Sequence, residues 1–184
     1  MNWHYAHDTI MKSLALDSTV DNINTFIFAG WLYSTPVYRD VATATTYYEK
    51  ALNLNNNDTS NFWPFFEYAA FLSHIADNFN LSQQYYLVAY NEAPTQPFVN
   101  FFYGLLLEYH LNETEKGEAM IESAMSTATQ LPGQAASNLI FQSLLLNGRN
   151  RTMEAQRCCE FGSKILNMNE TISSLFCLDG VNPL

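Results

Sequence analysis

Large and small apolar residues recur along the chain at a helical spacing. Five segments share one pattern: Ile10-Met-Lys-Ser13, Tyr48-Glu-Lys-Ala51, Tyr86-Leu-Val-Ala89, Ile121-Glu-Ser-Ala124 and Cys159-Glu-Phe-Gly162. In each, a bulky side chain precedes a small one by three positions. The small residues are separated by 38, 38, 35 and 38 positions (51−13, 89−51, 124−89, 162−124). A period of this length denotes stacked helical hairpins, because one hairpin cannot bury its apolar face without a neighbour. The small residue marks a close approach of two helices, and the bulky one fills the groove beside it. No alternation with period two competes.

The pattern predicts helices over 3–16, 23–34, 37–54, 61–77, 81–92, 97–110, 113–129, 134–147, 151–166 and 169–178. The first has Tyr5, Ile10, Met11 and Leu14 on one side, and the last has no partner within the chain. Pro36, Pro64, Pro94, Pro97 and Pro132 all fall at helix starts or in connections, where the missing N–H costs little. The expected architecture is therefore all-α, a single domain over 1–184 with about five repeats of 35–38 residues, starting and ending in mid-repeat. A second copy following directly would place its first marker at 197 (184+13), 35 positions beyond Gly162 and within the range of internal steps.

The segments Thr46-Tyr-Tyr-Glu-Lys-Ala51-Leu-Asn-Leu-Asn55 and Gln84-Tyr-Tyr-Leu-Val-Ala89-Tyr-Asn-Glu-Ala-Pro94 resemble the second helix of a tetratricopeptide repeat. Ala70, Gly104 and Ser143 stand 19, 20 and 19 positions before Ala89, Ala124 and Gly162, where that family's first helix carries a small residue. Gly162 and Cys159 depart from the family's usual alanine and aromatic, and several closing prolines are absent. The resemblance implies a right-handed solenoid of stacked antiparallel hairpins used for protein contact, with no catalytic activity.

Composition narrows the functional classes. Eight Lys and Arg against eighteen Asp and Glu give a net charge of −10, so no basic stripe is available to displace counterions from nucleic acid or to hold an anionic membrane. No apolar run approaches the ~20 residues that span a bilayer. Charged residues make up 14% of the chain, well below the ~25% usual in soluble domains, and Asn, Gln, Ser and Thr fill the surface instead, a composition commoner outside the cell. Residues 2–8 have neither a basic start nor an apolar stretch, so no signal peptide is expected at Met1.

Five Asn-x-Ser/Thr acceptors begin at Asn57, Asn80, Asn112, Asn150 and Asn169. This composition yields about three by chance, but all five are expected in exposed turns, with Asn80, Asn112 and Asn150 inside successive hairpins. Turn and capping preferences of Asn, Ser and Thr account for the same placement. Of three cysteines, Cys177 can reach Cys158 or Cys159, closing a loop of about 20 residues worth roughly 3 kcal/mol; buried reduced thiols are the competing reading. His4, His7 and Asp8 share a helical face without a third strong ligand, which favours packing over a metal site. His74 and His110 end helices, where a cation suits the dipole. About two-thirds of the aromatic residues at 62–71 and 98–103 are expected in the core, and those left over to line a groove. No catalytic pair, phosphate loop or cofactor motif occurs, and no enzyme is expected.

Two functions follow as expectations. One is a structural subunit that stacks head to tail on itself into an extracellular, N-glycosylated filament, joined through Tyr5, Ile10, Met11 and Leu14 against Ile172, Leu175 and Phe176. The other is a cytoplasmic adaptor that holds a peptide or protein in its concave groove.

Overall fold

In a computed structural model, residues 3–15, 22–56, 58–168 and 177 are described. These residues form nine α-helices and one 3₁₀ turn, with no strand among them. The chain divides into two compact units, Met1–Thr95 and Gln96–Leu184. In the first lie α1 (Trp3–Ala15), α2 (Asn22–Ser34), α3 (Val41–Leu54), α4 (Trp63–His74) and α5 (Phe79–Glu92). In the second lie α6 (Pro97–His110), α7 (Thr114–Ser126), the 3₁₀ turn Ala128–Gln130, α8 (Gly133–Asn147) and α9 (Thr152–Ile165). Sequential helices pack as pairs: α2 with α3 and α4 with α5 in the first unit, α6 with α7 and α8 with α9 in the second. The helix left over is α1, which packs against α2.

The expected helix starts shift where local capping decides them. The backbone at 35–39 is spent on turns, with Tyr38 and Arg39 both donating to the Thr35 carbonyl. Asp40 then accepts from the Thr43 backbone N–H at 3.0 Å and caps α3, which begins at Val41 rather than 37. In the next pair, Asn78 accepts from Leu81 N–H at 3.3 Å, so α5 begins at Phe79 rather than 81. Side-chain caps of this kind satisfy the orphan donors of a first turn.

Four of the five bulky–small markers are buried: Tyr48 with Ala51, Tyr86 with Ala89, Ile121 with Ala124 and Cys159 with Gly162. The marker of α1 differs, for Ile10 is half-buried and Ser13 is exposed, its hydroxyl 3.3 Å from that of Thr25. A second register, not anticipated, runs seven residues ahead of the first. Ala44, Ser82, Gly117 and Ala155 are all buried and repeat at 38, 35 and 38 positions. In two of the pairs these positions sit at a close approach of the helices. Ser82 donates its hydroxyl to the Ala69 carbonyl at 2.8 Å, and a Cβ on Gly117 would stand 2.6 Å from the Gly104 carbonyl oxygen. Small side chains at these crossings let backbones meet while the bulky neighbours fill the flanks.

The turns inside the pairs repeat too. Arg39, Asp77, Asn112 and Asn150 all adopt positive φ, at 48°, 54°, 57° and 62°, again 38, 35 and 38 positions apart. After each, the following N–H returns to the preceding helix: Asp40 to Tyr33, Asn78 to Leu72, Glu113 to Leu107 and Arg151 to Leu146.

Candidate functional site

The exposed face of α1 is broad. A narrow stripe, Ala6, His7, Ile10 and Leu14, is half-buried, and the remaining side chains described on this helix are exposed. Among them, Tyr5 is 72% and Met11 40% exposed, while on α2 Phe28 is 60% exposed. Of the residues expected at a subunit joint, the structure thus places Tyr5 and Met11 outward and Ile10 and Leu14 partly against α2. Ile172, Leu175 and Phe176 lie outside the described residues.

His7 anchors α1 by its ring. It stacks on Tyr38 with centroids 5.8 Å apart and meets Tyr33 edge-on at 6.2 Å. Its Nε2 lies 3.3 Å from the Tyr33 hydroxyl, and its Nδ1 3.5 Å from Asp8 Oδ1. Among the described residues no group of His, Cys, Asp and Glu is arranged to hold a metal. The column continues across the unit: Tyr33 stacks on Tyr47 at 5.6 Å, Tyr47 on Phe26 at 6.1 Å, and Lys50 Nζ stands 5.3 Å from the Tyr47 ring centre. Burial, then the neighbouring Tyr47, Tyr38 and Asp40, raises the Tyr33 hydroxyl above its ordinary range.

The two aromatic segments are mostly core, close to the two-thirds expected, with seven of their ten rings buried. Phe65, Phe66, Tyr68 and Phe71 are buried in the first unit, and Phe101, Phe102 and Tyr103 in the second. Trp63 is 37% exposed, lying on Phe66 at 5.3 Å, and Phe62 and Phe98 are half-buried. The rings of α4 are mostly core because it packs against both α3 and α5, so more than one of its faces is interior.

The acceptor asparagines separate into three groups. Asn57 and Asn169 lie outside the described residues. Asn112 and Asn150 are exposed at hairpin tips, followed by the exposed Thr114 and Thr152 that open α7 and α9. Asn80 is exposed but belongs to the first turn of α5 rather than to a connection, because the cap falls on Asn78. Its Ser82 is wholly buried in the crossing with α4.

Cys159 and Cys177 are joined by a disulfide with Cα atoms 5.6 Å apart. Cys158 is a buried free thiol, and burial pushes it far above the usual thiol range. The Ser163 hydroxyl lies 3.6 Å from the Cys177 sulfur.

One ionic cluster was not visible in the sequence. Arg151 at the start of α9 forks onto Glu154, Nε to Oε1 at 2.6 Å and a terminal nitrogen to Oε2 at 2.5 Å. A terminal nitrogen of Arg151 also lies 2.9 Å from His110 Nε2, which stands 3.1 Å from Glu154 Oε1. Glu154 is 4% exposed. Burial alone raises its pKa, but hydrogen bonds with His110 and Arg151, and their charge, outweigh burial and bring it down to about 2. His110 therefore joins α6 to α9 rather than serving only its own helix end. Glu67 on α4 shows the opposite case: half-buried, it is pushed up to about 7 by burial.

No helix among the described residues is long and apolar enough to cross a membrane. No family model matches the chain, and no curated protein matches it in sequence.

Proposed function

We propose that this protein is a structural subunit of tetratricopeptide type. Its hairpins stack as a right-handed solenoid, and copies join head to tail into a filament in an oxidising, extracellular setting. The two small-residue registers and the left-handed turns, recurring in step through both units, support a repeated hairpin. The Cys159–Cys177 disulfide supports the compartment, since such bridges persist where thiols are not kept reduced. The reading assigns no catalytic residue, metal or cofactor.

One observation carries the self-association. Ile10 and Ser13 occupy the places that Tyr48–Ala51, Tyr86–Ala89, Ile121–Ala124 and Cys159–Gly162 occupy in other helices, and theirs is the one marker left partly open. A helix from a second copy, laid over Tyr5, Ile10, Met11 and Leu14, supplies the missing cover. Such a contact is heterologous and propagates unless its rotation closes a ring. The apolar face Ile172, Leu175 and Phe176 is the complementary surface in this reading.

The test is sedimentation and negative-stain imaging of the full chain beside a Tyr5→Glu, Met11→Glu double variant. Both side chains are outward, so the fold tolerates the change. Filaments from the native chain and monomers from the variant are expected. A native chain that stays monomeric at high concentration, or a variant that still forms fibres, overturns the joint. The aromatic column ending on Lys50 favours a second reading, an adaptor whose partner lies across α1–α3, and a monomeric native chain leads to that one.

A further inference from the structure

We propose that Asn112 and Asn150 are N-glycosylation sites, each carrying an oligosaccharide at the tip of a helical hairpin in the second unit. The inference rests on the oxidising compartment proposed above, and not on self-association.

Both asparagines are exposed, with φ of 57° and 62°. Among the described residues, neither side-chain amide is engaged in a hydrogen bond. The acceptor hydroxyls belong to Thr114 and Thr152, exposed first residues of α7 and α9. Each tip thus presents amide and hydroxyl outward on one bent stretch of backbone, a surface position where a bulky glycan fits the folded chain.

Turn geometry alone explains an asparagine at positive φ, because Asn tolerates that conformation better than most residues. It does not explain the whole triplet. The matching positions of the first unit, Arg39 and Asp77, adopt the same conformation without an acceptor sequence. The turn therefore accepts other residues, and both tips of the second unit still carry Asn-x-Thr in one register, 38 positions apart. Asn80 provides the contrast. Its Ser82 hydroxyl is fully buried and donates to Ala69 across the α4–α5 crossing, so the folded chain offers no complete acceptor there.

The chemistry is a glycosyl transfer from a polyprenyl-diphosphate-linked oligosaccharide. The Asn Nδ2 bonds to the anomeric carbon of the first sugar and gives up one proton to the transferase. The bond from that carbon to the diphosphate oxygen breaks, and polyprenyl diphosphate departs with the electron pair.

Glycopeptide mass mapping of the chain from its native source, with thiol counting under denaturing conditions, tests the assignment. Sugars on Asn112 and Asn150, bare Asn80 and one free thiol are expected. In the chain secreted from a glycosylating host, Thr114→Ala and Thr152→Ala should each remove the mass of one glycan while leaving the left-handed asparagine in place. Bare Asn112 and Asn150 with the disulfide intact overturn the sites. An occupied Asn80 overturns the geometric selection. Three free thiols overturn the compartment reading on which the proposal stands.

Discussion

Replacing Gly117 by alanine places a Cβ where the α6–α7 pair has no room. It would lie 2.6 Å from the Gly104 carbonyl oxygen, 2.7 Å from the Glu108 backbone nitrogen and 2.9 Å from the Glu108 Cβ. Two of these three neighbours are backbone atoms, so no flexible side chain can step aside. The helices must separate, and a gap of ~0.5–1 Å forfeits a quarter to a half of each dispersion contact along the seam. Overpacking of this kind costs ~1–3 kcal/mol, whereas alanine's better helix propensity returns only ~1 kcal/mol. With backbone on both sides we expect the upper end, a net loss of about 2 kcal/mol, which lowers the melting temperature by roughly 4–8 °C in a chain of this size. Gly148 is the internal control. It is exposed, and a Cβ there would meet nothing nearer than 3.5 Å, so Gly148→Ala should leave stability unchanged or raise it by ~0.5–1 kcal/mol. Urea and thermal unfolding of both variants decide the matter. A Gly117→Ala protein as stable as the parent refutes the close approach of α6 and α7.

Two further expectations concern pH and have opposite signs. The Glu154 carboxyl, at about 2 in the folded chain against an ordinary 4.5, contributes stability that is complete above pH 4.5 and is lost as pH falls towards 2. Its full worth is roughly 3 kcal/mol, so Glu154→Gln should destabilise at neutral pH and flatten the acid limb of the stability curve; an unchanged acid limb contradicts the buried Arg151–Glu154–His110 joint. Glu67, raised to about 7, contributes stability that is present below its ordinary 4.5 and lost as pH rises through 7. Glu67→Gln should therefore be more stable than the parent above pH 7 and lose the dependence between pH 4.5 and 7, and stability curves that stay parallel across this range show that Glu67 is solvated.

The repeat was legible because its markers combine size and period. A bulky residue three before a small one fits one stripe of a helix, and Tyr48, Tyr86, Ile121 and Cys159 are all buried as that stripe requires. The second register stayed hidden although it has the same period. Three positions before Ala44, Ser82, Gly117 and Ala155 stand Val41, Phe79, Thr114 and Thr152, which share no bulk, so only the close crossing itself reveals them. At Arg39 and Asp77 the positive φ falls on a residue that is neither glycine nor asparagine. The aromatics of α4 fall mostly in the core, as their spread over more than one face implies, because this helix packs against both α3 and α5. The cluster of His110, Arg151 and Glu154 joins residues more than forty positions apart, and local pattern holds no trace of such a pair.

The exposed flank of α1 sets a limit on the proposed joint. A fully buried large apolar side chain contributes ~1.5–3 kcal/mol. Tyr5 is 72% and Met11 40% exposed and Ile10 and Leu14 are partly covered, so covering this face adds the equivalent of about one to two full burials, ~2–6 kcal/mol by the same rule. Association costs ~4–15 kcal/mol in lost freedom before any surplus appears. The flank of one copy alone therefore leaves the joint marginal. The balance turns favourable only when the partner's own apolar side chains are buried in the same contact, which in this reading are Ile172, Leu175 and Phe176. Each joint buries the same two faces in a dimer as in a long filament, so every joint in this reading has the same strength. Its growth should thus be gradual, with mean filament length rising steadily with concentration, and a sharp critical concentration in sedimentation would show that a second kind of contact joins the copies.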